Sequence, residues 1–298
     1  MKIYFLQDIM EYNVMRYESR EILSSSGPLI RSRSSDDNLL NEKNVDNNSG
    51  ITDKITCYRP NYEEGLIIKG RKEDNLFIID NLGHSGSGWT IGPGTVDMAI
   101  NILMEKLDNS SRDNEFRDSI KKNGISIVGA GCIGLFTAIM LDNKFRYNNN
   151  NTYNDIKIKI IAEELDNTTS HNAGGLISVT CLENDKDKSR LEKSALFSYD
   201  FYRDISKYIP GLDENIIREL PAYFSGKDED CEKGYDDGLQ LFLENGKISK
   251  TGPYVITFPN GIKIDNIYKY NPLFIQTDEL MKKMRDRLKE LNIEIIKC

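Results

Sequence analysis

Ile125–Leu135 reads ISIVGAGCIGL, and the spacing of its glycines decides the fold. Ile125-Ser126-Ile127-Val128 is strand-like, Gly129-x-Gly131-x-x-Gly134 follows at once, and Leu135–Leu141 (LFTAIML) is helix-forming. In such a strand–turn–helix the first glycine makes the tight turn and the second lets backbone approach a pyrophosphate. The third lets the helix pack closely on the strand. Phosphates held there sit at the positive end of the helix dipole. Downstream, the asparagine-rich insert Tyr147–Asn154 reads as a solvent loop, and Ile156–Ala162 reads as a second strand. Together these make a βαβ unit with a right-handed crossover. That unit calls for an acidic residue at the end of its second strand, where it holds ribose hydroxyls. Glu163 stands there, 29 positions past Gly134. The usual count is about 20, and the insert accounts for the excess.

Outward from this core, Ser24–Gly50 is rich in Ser, Asn and Asp, so residues 1–50 are expected to be poorly ordered. Leu66–Ile68 and Leu76–Ile79 read as short strands joined by the turn Lys69–Asn75. Gly83–Gly94 is glycine-rich, Thr95–Leu107 has apolar residues at helical spacing, and Asp108–Asn123 reads as a charged connector. Leu191–Tyr208 shows one apolar helix face. Thr277–Leu291 is the clearest helix, with Thr277 expected as N-cap and Asp278 and Glu279 in the first turn. Ile293–Ile296 closes the series as a strand. The expected divisions are 1–50, 51–110, the βαβ core 124–183, and 184–298 with the remaining elements.

Composition narrows the function. A net charge of −8 over 298 residues argues against nucleic acid as a partner, because non-specific binding needs a basic surface. Five scattered cysteines without C-x-x-C spacing read as reduced thiols, and a count of two histidines argues against a multi-histidine metal centre. No apolar run approaches the roughly 20 residues of a membrane span, and no secretory signal is visible. A cytoplasmic location, with no membrane partner, is the resulting expectation.

Beyond Glu163 comes Thr168-Thr169-Ser170-His171-Asn172-Ala173-Gly174-Gly175-Leu176, which offers backbone N–H donors and room for a bulky flat ligand. A plain NAD dehydrogenase has no need of such a turn. Here the chain resembles the FAD-dependent amino-acid oxidase family, of the D-amino-acid oxidase and glycine oxidase type. Its members show V-G-A-G-x-I-G-L, an acidic strand end, and a Thr/Ser-rich turn closing in A-G-G. The resemblance implies an α/β fold, a Rossmann-type FAD-binding domain with a partial α+β substrate domain. It also implies that Gly129, Gly131, Ile133, Gly134, Glu163, Thr169, Ser170, Gly174 and Gly175 hold FAD.

The likeness recurs upstream. Tyr58-Arg59-Pro60, then Gly65–Gly70 (GLIIKG), then Gly83–Thr90 (GHSGSGWT) are similar to the C-terminal end of the same family. By that resemblance Arg59 clamps the substrate carboxylate, Gly86 faces the amine, and Ser87, Gly88, Trp89 and Thr90 lie on the cofactor side. A guanidinium suits that role, since its planar fork matches a carboxylate bidentately. Taken alone, Trp89 reads as a packing residue, and His84 need not be catalytic. Glu63-Glu64 and Glu163-Glu164 are neighbours in sequence, so their side chains diverge and do not form an acid–base pair.

The family's C-terminal motifs here precede its N-terminal ones, the order of a circular permutation, of a head-to-tail junction of two copies, or of a truncated gene product. The strand following Ile296, the rest of the substrate sheet and the tyrosine that lids the substrate have no match in sequence. The implied function is oxidation of a small amino acid or amine by hydride transfer to FAD, with oxygen as a possible acceptor. The alternatives are an NAD(P)-dependent dehydrogenase and a non-catalytic protein that keeps the scaffold. Substrate identity and oligomeric state stay open.

Overall fold

The computed structural model describes residues 2–7, 14–15, 19–23, 51–56, 59–60, 62, 65–109, 114–146, 153, 155–166, 168–179, 188–225 and 237–298. Strand β1 (Lys2–Gln7) comes first. Two short antiparallel pairs follow, β2 (Val14–Met15) with β5 (Arg59–Pro60) and β3 (Ser19–Leu23) with β4 (Ile51–Thr56). Next come β6 (Ile67–Glu73), β7 (Leu76–Leu82), α1 (Gly88–Asn109), α2 (Asn114–Asn123), β8 (Ile125–Val128), α3 (Cys132–Arg146) and β9 (Ile158–Ala162). The remainder is α4 (Lys188–Arg203), β10 (Ile217–Glu219), β11 (Ala222–Ser225), α5 (Asp237–Glu244), β12 (Lys250–Thr257), β13 (Lys263–Tyr270), β14 (Leu273–Ile275), α6 (Thr277–Glu290) and β15 (Glu294–Lys297).

The chain is a mixed α/β protein built on a six-stranded sheet in the order β15-β9-β8-β1-β7-β6. Every neighbouring pair is parallel except β6 with β7, which form a tight hairpin around Asp74 and Asn75. Side chains alternate between the faces of a strand. Registration therefore lines up Phe77, Ile3, Ile125 and Ile158 in one row, and Ile79, Phe5, Ile127 and Ile160 in the next. All eight are buried. Helices α1, α3 and α6 pack in a layer, α1 against α3 and α3 against α6, while α4 packs on α1 and α2 on β1. A smaller antiparallel group, β11-β13-β12 beside the pair β10-β14, stands apart from the main sheet.

Several elements depart from the sequence reading. Helix α1 starts at Gly88, inside the glycine-rich stretch, and carries Pro93 in its second turn. Residues 114–123 of the charged connector form α2, because Phe116 and Ile120, four apart, bury one helix face. Of the residues read as poorly ordered, Lys2–Gln7 is a central strand with Ile3 and Phe5 fully buried. The segment Ser24–Gly50 and most of Tyr147–Asn154 lie outside the described residues. Thr277 does not cap α6. Gln276 occupies the cap without a side-chain hydrogen bond, and the Thr277 hydroxyl bonds the carbonyls of His171 and Ala173 at 2.9 and 3.2 Å. A tertiary partner wins over the local one, and it ties α6 to the Thr168–Gly175 turn.

Candidate functional site

Gly129 ends β8 with φ of +106°, a conformation that L side chains rarely adopt, so the chain turns sharply into α3. Gly134 sits one helical turn later. A Cβ there would lie 2.0 Å from the Gly129 carbonyl oxygen, so only glycine lets α3 approach the strand end this closely. Two of the three reasons for the glycine spacing are thus met by geometry. At the middle position, a Cβ on Gly131 would lie 3.1 Å from the Ser170 hydroxyl. Ile133 lies within the first turn of α3 and is buried.

Three segments meet at this turn. Ser170 Oγ accepts the Cys132 backbone N–H at 3.0 Å, which caps one of the donors a helix N-terminus leaves unmatched. Its carbonyl accepts Trp89 Nε1–H at 3.0 Å, which brings in the Gly83–Thr90 loop. The Trp89 ring is buried and meets Phe136 edge-on at 5.7 Å. Its carbonyl in turn accepts the Tyr202 hydroxyl at 2.6 Å, and full burial holds that hydroxyl well above the usual tyrosine range. Helices α1 and α3 begin beside one another: a Cβ on Gly88 would lie 3.8 Å from Cys132 Sγ. Two positive helix ends therefore face the same region, at the carboxyl ends of the parallel strands, where open α/β sheets bind ligands.

The Gly83–Thr90 loop is held by backbone. Ser87 N–H bonds the His84 carbonyl at 2.9 Å, and Gly83 (φ +88°) passes so near Gly65 that a Cβ would lie 2.3 Å from its carbonyl oxygen. Ser85 adopts a left-handed φ of +49°, and Gly86 beyond it is exposed. His84 is buried, with Nε2 at 2.8 Å from the Thr95 hydroxyl, which gives it a structural partner in α1. Ser87 is buried, and the Thr90 hydroxyl donates to the Ser178 carbonyl at 2.9 Å. Asn81, two residues before the loop, is fully buried, and both polar atoms of its amide lack a hydrogen-bond partner among the described residues.

In the Thr168–Gly175 turn, Thr168 Oγ1 lies 2.9 Å from His171 Nδ1, and the His171 and Asn172 N–H groups return to the Thr168 carbonyl. Burial, with Arg285 nearby, lowers the His171 pKa and favours the neutral ring. Gly175 has φ of +72°, and a Cβ there would lie 2.0 Å from the Ile275 carbonyl oxygen. Thr169 and Glu163 are exposed, Glu163 directly after β9, while Gly174 is half-buried. Arg59 belongs to the β2–β5 pair, opposite Met15, and its side chain lies outside the described residues. Among the described residues no group of three or more His, Cys, Asp or Glu could hold a metal ion, and no helix is long and apolar enough to cross a membrane.

Sequence reasoning missed Cys132 and Tyr202, which help bind the three segments together. Both connections are long-range and carry no local signal. No protein-family profile matches the chain, and comparison with curated proteins gives no match.

Proposed function

We propose that the chain is an FAD-dependent oxidoreductase, D-amino-acid oxidase-like, acting in the cytoplasm on a small amino acid or amine. The observation that carries this reading is the convergence on Ser170. One residue bonds both the start of α3 and Trp89, and so joins three segments far apart in sequence, each singled out for the same cofactor. The residues fit a dinucleotide. Gly129 and Gly134 leave the α3 terminus close to the strand end, α1 adds a second positive helix end, and exposed Glu163 stands where ribose hydroxyls are held. FAD, when bound, supplies the hydride acceptor.

The chain's own residues then have positioning tasks. Arg59 anchors the substrate carboxylate, and exposed Gly86 lets the amine approach backbone without a side chain intervening. Ser87, Gly88 and Thr90 line the cofactor side, and buried Trp89 and His84 fix the loop that carries them. No acid–base side chain is required, because a neutral amine needs only orientation.

Titration of the purified protein with FAD, followed by visible absorption, tests the cofactor. Bound flavin bands at stoichiometric ratio are expected, and their absence even with excess FAD overturns the reading. For the substrate role, Arg59→Ala is expected to raise KM for an amino acid by about 100-fold, the roughly 3 kcal/mol of a lost charged pair. Turnover at the wild-type rate and KM would remove Arg59 from the site.

A further inference from the structure

The helix layer holds a cavity remote from the Ser170 convergence. It lies among α1, α3, α4 and Tyr208, and its volume is about 170 Å³. That is room for about five or six waters. Asp97 lies nine residues into α1 and Lys144 twelve residues into α3, so they stand about 14 and 18 Å from the starts of those helices. Nothing in the proposed flavin site uses them.

Two opposite charges line this cavity without closing on each other. Asp97 accepts a hydrogen bond from Asn101 Nδ2 at 3.0 Å and feels Lys144 as its neighbouring cation. Yet no hydrogen bond or ion pair joins Asp97 to Lys144 among the described residues. The carboxylate is partly withdrawn from water, and burial, its largest influence, pushes its pKa up. An ionised group in that position is stabilised by a cation it does not yet contact. Ile100 and Met140 form a buried apolar floor, and Phe197, 37% exposed, is an apolar wall left open to solvent. Two opposite charges that do not pair with each other, in one cavity with apolar surface, match one class of ligand.

We propose that this cavity is a second small-molecule site, for a zwitterion of the α-amino-acid type. Asp97 receives the ligand's ammonium, Lys144 its carboxylate, and Ile100, Met140 and Phe197 its aliphatic side chain. Such a ligand completes both charge pairs at once and covers Phe197.

L-leucine is the probe, titrated calorimetrically into the full-length protein with and without FAD. Saturable binding that does not depend on FAD is expected. 3-Methylbutylamine and 4-methylpentanoate, which each keep one charge, should bind at least tenfold more weakly. Asp97→Asn and Lys144→Met should each weaken leucine at least tenfold while leaving the circular dichroism spectrum unchanged. No saturable binding, equal binding of either singly charged analogue, or undiminished binding by both variants overturns the proposal. The analogues are measured on the wild-type protein, so the decision does not depend on the folding of a variant.

Discussion

Asp97 shows how a single residue can record a conflict between fold and site. Its pKa is raised above 3.8, mainly by burial and against the opposing pull of Lys144 and Asn101. A carboxyl raised in the folded state contributes stability that is fully present below 3.8 and lost as pH rises through the folded value. Asp97→Asn removes that loss. The variant is therefore expected to melt at a higher temperature than wild type at pH 7, with the difference shrinking as pH falls through the folded value toward 3.8. A melting temperature unchanged at pH 7 would mean that Asp97 is better solvated than its surroundings indicate. The other telling residues are glycines. Gly129 and Gly134 were legible because each answers a backbone need that sequence spacing encodes. Thr277 was misread as a cap for the converse reason. Its hydroxyl serves carbonyls about a hundred residues away, and nothing local marks that choice.

At the scale of elements, the α1–α4 crossing depends on a close approach of backbones. A Cβ on Gly94 would lie 2.2 Å from the Ser194 carbonyl oxygen and 2.5 Å from its Cα, and the Gly94 N–H bonds the Ser198 hydroxyl at 2.9 Å. Backbone atoms of a packed helix cannot rotate aside as a side chain tip can. Gly94→Ala is thus expected to destabilise by about 1–3 kcal/mol, the cost of overpacking. Alanine's helix propensity works in the opposite direction by about 1 kcal/mol, so a net loss in urea melts is the informative sign. A net gain would show that the two helices stand further apart. The helices with clear apolar periodicity, α4 and α6, were readable, as was the β8–α3–β9 unit. Helix α2 was not, since two apolar residues among ten make its mean character polar. The β12–β13 hairpin was hidden for a related reason. Most of its residues are exposed, Val255 and Ile262 among them, so there is little inward–outward alternation to detect.

Across the whole molecule, β1 is the part that unites what the sequence separates. It pairs in parallel with β7 on one side and β8 on the other, so the strand leading to the Gly83–Thr90 loop and the strand leading to Gly129 end at the same, carboxyl-terminal end of the sheet on either side of it. Strand spacing of about 4.8 Å sets those two strands roughly 10 Å apart, with Lys2–Gln7 filling the gap. Sequence reading could not place it, because six residues without flanking turn or glycine signals look like any apolar segment. The dependence is testable by substitution. Ile3 is fully buried between Phe77 and Ile125 in its row, so Ile3→Ala is expected to cost about 2–5 kcal/mol. Ile262, 55% exposed near the tip of the β12–β13 hairpin, provides the contrast: Ile262→Ala is expected to change stability by no more than about 0.5 kcal/mol. Because β1 links the two glycine segments, Ile3→Ala should also weaken FAD binding in the titration that tests the cofactor, whereas Ile262→Ala should leave it unchanged. Equal losses of stability for both variants would mean that β1 does not occupy the centre of the sheet.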